Sequence, residues 1–85
     1  MEIYLVYGIT DCPACLRACA DLMEKDCEYV FVEMDFAPAF RQNIKEKWNW
    51  KTFPIIVKRN LEGDNLIGGY AELLNLTPFI DPSPT

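Results

Sequence analysis

Two cysteines separated by two residues, Cys12-Pro13-Ala14-Cys15, stand where an apolar run gives way to a helical pattern, and this placement constrains the chain more than any other feature. Upstream, Ile3-Tyr4-Leu5-Val6-Tyr7 is a β-branched and aromatic run without a charge, the pattern of a strand buried on both faces. Gly8 ends the run, and Ile9-Thr10-Asp11 form a loop. Pro13 suits the first helical position, whose N–H is unpaired in any case, so Cys12 falls at the N-cap. From Ala14 to Lys25 the pattern is helical. Leu16, Cys19, Ala20 and Met23 are expected on one face, with Arg17, Asp21 and Glu24 mostly away from it.

The remainder repeats this alternation and then changes it. Tyr29 to Met34 reads as a second strand, so strand, helix and strand with short connections imply a right-handed crossover and a parallel pair. A second helix opens at Pro38, with Phe40, Ile44 and Trp48 spaced at four. Pro54 pushes the residue before it to an extended shape, and Ile55 to Lys58 form a short strand. A turn over Asn60 to Asp64 and a last strand, Asn65 to Ile67, complete a hairpin. Gly68-Gly69 leads into a third helix from Tyr70 to Leu76, closed by Thr77-Pro78, and residues 77–85 read as a loosely ordered tail of one domain spanning 1–85. The order β-α-β-α-β-β-α is that of an α/β domain: a four-stranded mixed sheet with helices on both faces.

Bulk properties narrow the function. A formal charge of −5 leaves no basic stripe to neutralise phosphates, which argues against nucleic acid. No apolar stretch approaches the roughly 20 residues of a membrane span, and Ile3 to Val6 is too short for a secretory signal. All 4 cysteines (Cys12, Cys15, Cys19, Cys27) lie in the first third of the chain, so they cannot staple the rest of it. A reducing, cytoplasmic setting is the expectation.

Cysteine attacks as the thiolate, and a helix N-terminus offers its sulfur unpaired N–H groups and the positive end of the macrodipole. Cys12 is therefore expected to be the exposed nucleophile and Cys15, one turn on, the buried resolving thiol. Asp11 opposes a second negative charge beside it. The same spacing can be half of a zinc site. Cys15 and Cys19 would then share one helix with Cys27 beyond its far end, which closes a tetrahedron poorly, so redox chemistry is favoured and no metal is expected.

Four segments in this order carry a family likeness: the strand ending in Tyr7-Gly8, Cys12-Pro13-Ala14-Cys15, Thr52-Phe53-Pro54, and Ile67-Gly68-Gly69-Tyr70. Across residues 3 to about 76 the chain resembles the dithiol glutaredoxins. That resemblance implies a thioredoxin-like fold and reduction of protein disulfides or glutathione mixed disulfides, with glutathione as reductant. It also implies a cis Pro54 facing the dithiol, the backbone of Phe53 open to an extended substrate, and a groove formed by Thr52, Phe53, Pro54, Gly69, Tyr70, Ala71 and Glu72. In that groove the N–H groups of Ala71 and Glu72 would receive the γ-glutamyl carboxylate. Ribonucleotide reductase is a family-level partner, and a monomer is expected. Three positions depart from the family pattern. Ala14 replaces a common tyrosine, Thr10-Asp11 stand where a basic residue often precedes the first cysteine, and Glu72 replaces a shorter acid. Alternatives are a thioredoxin-like electron donor reduced by a flavoprotein reductase, or an iron–sulfur cluster carrier, which Pro13 disfavours.

Other residues have plainer readings. Cys19 is expected in the core, and Cys27 as an incidental loop cysteine. Trp48 reads as packing, Trp50 is open, and Tyr4 and Tyr7 pack within the first strand. Lys45, Lys47, Lys58 and Arg59 read as solvated surface, while Lys51 lies beside the implied groove.

Overall fold

The first strand is the hub of the sheet. In the computed structural model, which describes residues 2–80 and side chains as far as residue 76, β1 (Glu2–Gly8) lies between β2 (Tyr29–Glu33) and β3 (Ile55–Asn60). β4 (Gly63–Gly68) completes the order β2-β1-β3-β4. β1 pairs parallel with β2 and antiparallel with β3, and β3 pairs antiparallel with β4, so the sheet is mixed as expected. The hairpin is longer and tighter than the pattern indicated. Asn60 pairs with Gly63, whose φ of +132° turns the chain, and Arg59 makes a two-pronged hydrogen bond to Asp64 at 2.8 and 3.0 Å.

Three helices cover the two faces: α1 (Pro13–Glu24), α2 (Pro38–Trp48) and α3 (Tyr70–Ile80). Alternation along β1 divides the core. Tyr4 and Val6 join Ala18, Leu22, Ile56 and Leu73 under α1 and α3, whereas Leu5 and Tyr7 join Met34, Ile44, Ile55 and Val57 under α2. A central strand with neighbours on both edges and helices on both faces has no solvent side, which is why its sequence carries no charge from Ile3 to Tyr7.

Two expectations are corrected. The buried face of α1 is Cys15, Ala18 and Leu22 with Cys19 partly buried, while Leu16 and Met23 are 59% and 61% exposed and Ala20 is exposed. Cys15 must face the sheet because the loop from Gly8 delivers the N-cap there, and the i, i+3, i+4, i+7 series from residue 15 selects 18, 19 and 22. Leu16 and Met23 point away despite their hydropathy. The third helix does not stop at Leu76 but continues to Ile80. A proline deletes one N–H from the ladder and biases its predecessor, which makes it a tendency toward termination rather than a barrier. Of the expected tail, residues 81–85 lie outside the described residues.

The packing of Tyr4, Tyr7, Trp48 and Cys19 follows the pattern, while that of Trp50, left open by the sequence, and of Cys27, read as a loop cysteine, comes from the fold. Tyr4 and Tyr7 are buried, Trp48 and Trp50 pack on the α2 side, and Cys19 and Cys27 both pack against the α1 side of the core. Burial pushes the Cys19 thiol pKa up, so this sulfur is a poor nucleophile.

Candidate active site: a dithiol beside a cis-proline

Gly8 ends β1 under the start of α1, and the space its missing side chain leaves is filled by the dithiol. A Cβ there would stand 2.6 Å from Cys15 Sγ and 3.1 Å from Cys15 Cβ. From this point the chain reaches the N-cap, Cys12, in an extended conformation, with Pro13 opening the helix. The carbonyl of Cys12 accepts the N–H groups of Cys15 and Leu16, and the Cys15 N–H also donates to Cys12 Sγ at 3.1 Å. The Cys15 N–H thus points at Cys12 Sγ at the positive end of α1, an arrangement that favours a thiolate at this sulfur. Cys12 and Cys15 are joined as a disulfide with Cα atoms 5.3 Å apart. Cys15 is fully buried and Cys12 partly exposed, so an incoming sulfur reaches Cys12 first.

The opposite wall comes from the segment before β3. The Phe53–Pro54 peptide is cis, Pro54 is buried, and the Phe53 carbonyl oxygen lies 3.9 Å from Cys12 Sγ. Thr52 is exposed beside it. Two cations of α2 lie over the Phe53 ring, Arg41 Cζ at 5.5 Å and Lys45 Nζ at 5.0 Å from its centroid. They stand four apart on the helix, the one sequence signal that would have found them, although by residue type each reads as surface. Lys45 also lines a cleft of about 290 Å³ with Gln42, Glu46, Asn49, Trp50 and Lys51, which places Lys51 at the edge of the same region.

The Gly68-Gly69 turn approaches from β4. Gly68 has a φ of +124°, and a Cβ on it would meet Glu72 Cγ at 2.8 Å. Glu72 folds back so that Oε1 accepts the Gly69 N–H at 2.9 Å, the return bond of a capping box at the start of α3. A Cβ on Gly69 would lie 3.6 Å from both the Pro54 carbonyl oxygen and Trp50 Nε1, so this turn abuts the cis-proline. Tyr70 packs partly buried against the core and Ala71 is exposed. Of the groove residues named from the sequence, the structure brings Phe53-Pro54, Gly69 and Glu72 together, whereas Tyr70 packs toward the core and Thr52 and Ala71 face solvent. Asp11 is exposed, and Ala14 half-buried, beside Cys12.

One feature of the site gave no sequence signal. The Asp35 carboxylate accepts the N–H of Thr10 at 3.1 and 3.3 Å, tying the loop before Cys12 to the end of β2. A hydrogen bond from the Glu33 carboxyl is the main cause holding the Asp35 pKa down, with Thr10 adding to it, and the same bond pushes Glu33 up. Among the described residues no three His, Cys, Asp or Glu side chains converge as metal ligands, and no helix is long and apolar enough to cross a membrane.

A dithiol at a strand–helix junction, beside a cis-proline at one end of a mixed four-stranded sheet, defines a thioredoxin-fold redox protein. The glutaredoxin family model matches residues 4–61, and the chain belongs to the glutaredoxin family. No curated protein matches it by sequence. Among solved structures it is similar to the dithiolic glutaredoxin 2-C-Grx1 of Trypanosoma brucei brucei, at 25% identity and a TM-score of 0.71 over 89% of this chain and 77% of that one. A buckwheat glutaredoxin–glutathione complex aligns at 18% identity with a TM-score of 0.76, over 92% and 70%. NrdH-redoxin from Escherichia coli, described as glutaredoxin-like with a thioredoxin-like activity profile, aligns at 15% identity with a TM-score of 0.69, over 96% and 99%. Family, fold and the Cys12–Cys15 pair together point to a dithiol oxidoreductase.

Proposed function

We propose that this protein reduces disulfides through Cys12 and Cys15 and is itself reduced by glutathione. The Cys12 thiolate attacks one sulfur of a substrate disulfide; a Cys12–substrate bond forms as the substrate S–S bond breaks, and the departing thiolate takes a proton. Cys15, as thiolate, then attacks Cys12 Sγ, closing the internal disulfide and releasing the second substrate thiol. Two glutathione thiolates return the two electrons. The first attacks Cys12 Sγ, forming a mixed disulfide as the Cys12–Cys15 bond breaks and Cys15 takes a proton. The second attacks the glutathione sulfur of that mixed disulfide, forming oxidised glutathione as Cys12 leaves as thiolate. The observation that carries this reading is the pairing of a partly exposed Cys12 with the Phe53 carbonyl at 3.9 Å, under two cations suited to a peptide's carboxylate. Disulfide-bearing proteins are the proposed partners, with ribonucleotide reductase a family-level candidate.

A second reading has its own observation. Glu72 places a carboxylate on the Gly69 N–H at the start of α3, where the family would bind the γ-glutamyl carboxylate of glutathione. A fixed anion there repels a second one, which favours a thioredoxin-like donor reduced by a flavoprotein reductase. NrdH-redoxin, with the same fold, has a thioredoxin-like activity profile of its own. Following NADPH oxidation in two coupled assays decides between them, one with glutathione and glutathione reductase, the other with thioredoxin reductase. Glutathione-dependent turnover supports the first reading. Turnover confined to the reductase-coupled assay refutes it in favour of the second.

A further inference from the structure

The rim around the dithiol closes on itself. Cys12 Sγ faces the Phe53 carbonyl at 3.9 Å, the Phe53 ring lies 5.5 Å from Arg41 Cζ, and the charge of Arg41 acts on Asp35. Asp35 in turn accepts the N–H of Thr10, two residues before Cys12. Phe36 follows Asp35 directly in this circuit, and it is 91% exposed. Only one other large apolar side chain among the described residues is as bare, Leu61 at 93%, and it tips the β3–β4 turn at the end of the sheet away from Gly8. Phe40, on the first turn of α2, is also exposed on one side, with its ring edge-on to Tyr7 at 6.3 Å between centroids.

Scattered exposed apolar side chains are ordinary, but Phe36 directly follows the Asp35 that holds the loop before Cys12, and Phe40 shares α2 with Arg41 and Lys45, whose cations lie over Phe53. The charges also set an orientation: Asp11, Glu33 and Asp35 line the Thr10 side, whereas Arg41 and Lys45 line the α2 side.

We propose that Phe36 is the docking anchor for protein substrates whose disulfide is flanked by an apolar side chain and by carboxylates, the apolar group packing on the Phe36 ring and the carboxylates meeting Arg41 and Lys45. This rests on the dithiol-exchange reading above and adds a substrate class to it. Burial of an aromatic anchor at the centre of a contact is the usual source of selectivity at such surfaces.

The test uses the whole chain with dithiothreitol as reductant, so the identity of the natural reductant does not enter. Substrates are disulfide peptides with glutamates on one flank and a leucine placed in turn at positions beside one cysteine, the same peptides with serine for leucine, and bis(2-hydroxyethyl) disulfide. Wild type should favour the best leucine peptide over its serine counterpart by roughly tenfold in kcat/KM. Phe36→Ala should abolish that preference, Phe36→Trp should retain it, and reduction of bis(2-hydroxyethyl) disulfide should be unchanged in both. Absence of any preference in wild type, or its survival in Phe36→Ala, overturns the proposal. So does a wild-type dimer in sedimentation that Phe36→Ala dissolves, since a second copy would then cover the face. Failure of wild type to reduce bis(2-hydroxyethyl) disulfide would instead strike the dithiol-exchange reading itself.

Discussion

Gly8 is where the sheet and the dithiol meet most closely, and Gly8→Ala is the substitution whose effect the geometry defines best. The added Cβ would stand 2.6 Å from Cys15 Sγ, 3.0 Å from Phe31 Cε1 and 3.1 Å from Cys15 Cβ. Cys15 is fully buried and, when oxidised, tethered to Cys12, so it cannot rotate aside. Relief requires α1 to lift from β1 or Phe31 to tilt, and overpacking of this kind costs about 1–3 kcal/mol. For a domain of this size each kcal/mol moves the melting temperature by about 4–8 °C, so the oxidised variant should melt roughly 5–20 °C lower. Reduction frees the Cys15 sulfur to leave the clash, whereas the contacts with Phe31 and Cys15 Cβ persist. The reduced variant should therefore lose less, and the pair should become easier to reduce by about 20 mV for each kcal/mol of difference. Thermal melts in both redox states and a potential measured against a glutathione buffer read these quantities. Equal melting temperatures for wild type and variant in both states would falsify the close packing of Cys15 on Gly8.

Two further outcomes follow from single contacts. Glu72→Gln keeps an acceptor for the Gly69 N–H but removes the charge; with like charges worth about 1 kcal/mol at 4 Å in water, the KM for glutathione should fall about fivefold, and a rise would mean that Glu72 attracts the ligand instead. Tyr4 has a hydroxyl that is buried without a hydrogen bond among the described residues, and burial first, then Cys27 and Glu2, push its pKa up to about 12 from 10.0. A raised folded-state pKa stabilises below the unfolded value and ceases to do so as the pH rises through the folded one, so urea stability should decline between pH 10 and 12 by at most about 1.4 kcal/mol per unit. Tyr4→Phe should remove that component and leave neutral-pH stability equal or slightly higher; a large loss at neutral pH would show the hydroxyl to be bonded.

Much of the fold was legible because β1, β2 and the start of β3 are written in apolar, largely β-branched and aromatic residues, and only a central strand such as Ile3 to Tyr7 needs no polar face. The N-cap position of Cys12 was legible because proline suits the first helical position, whereas the cis bond at Pro54 was implied only by the family resemblance. The face of α1 was misread because hydropathy ranked Leu16 and Met23 above Cys15 and Ala18, whereas the loop from Gly8 sets which side of the helix meets the sheet. Asp35 on Thr10, and Arg41 with Lys45 on Phe53, escaped notice because each joins segments distant in sequence through side chains whose types are ordinary on a surface. Glu72 was visible as an unusual acid, but its bond back to the Gly69 N–H is set by the folded turn.

The central claim is a division of labour, with Cys12 attacking and Cys15 resolving. Peptide mapping of Cys15→Ser after exposure to a glutathionylated peptide tests it most directly. The variant should trap one substrate half on Cys12, while Cys12→Ser should carry none and turn nothing over. An adduct on Cys19 or Cys27 alone, or continued turnover by Cys12→Ser, would contradict it.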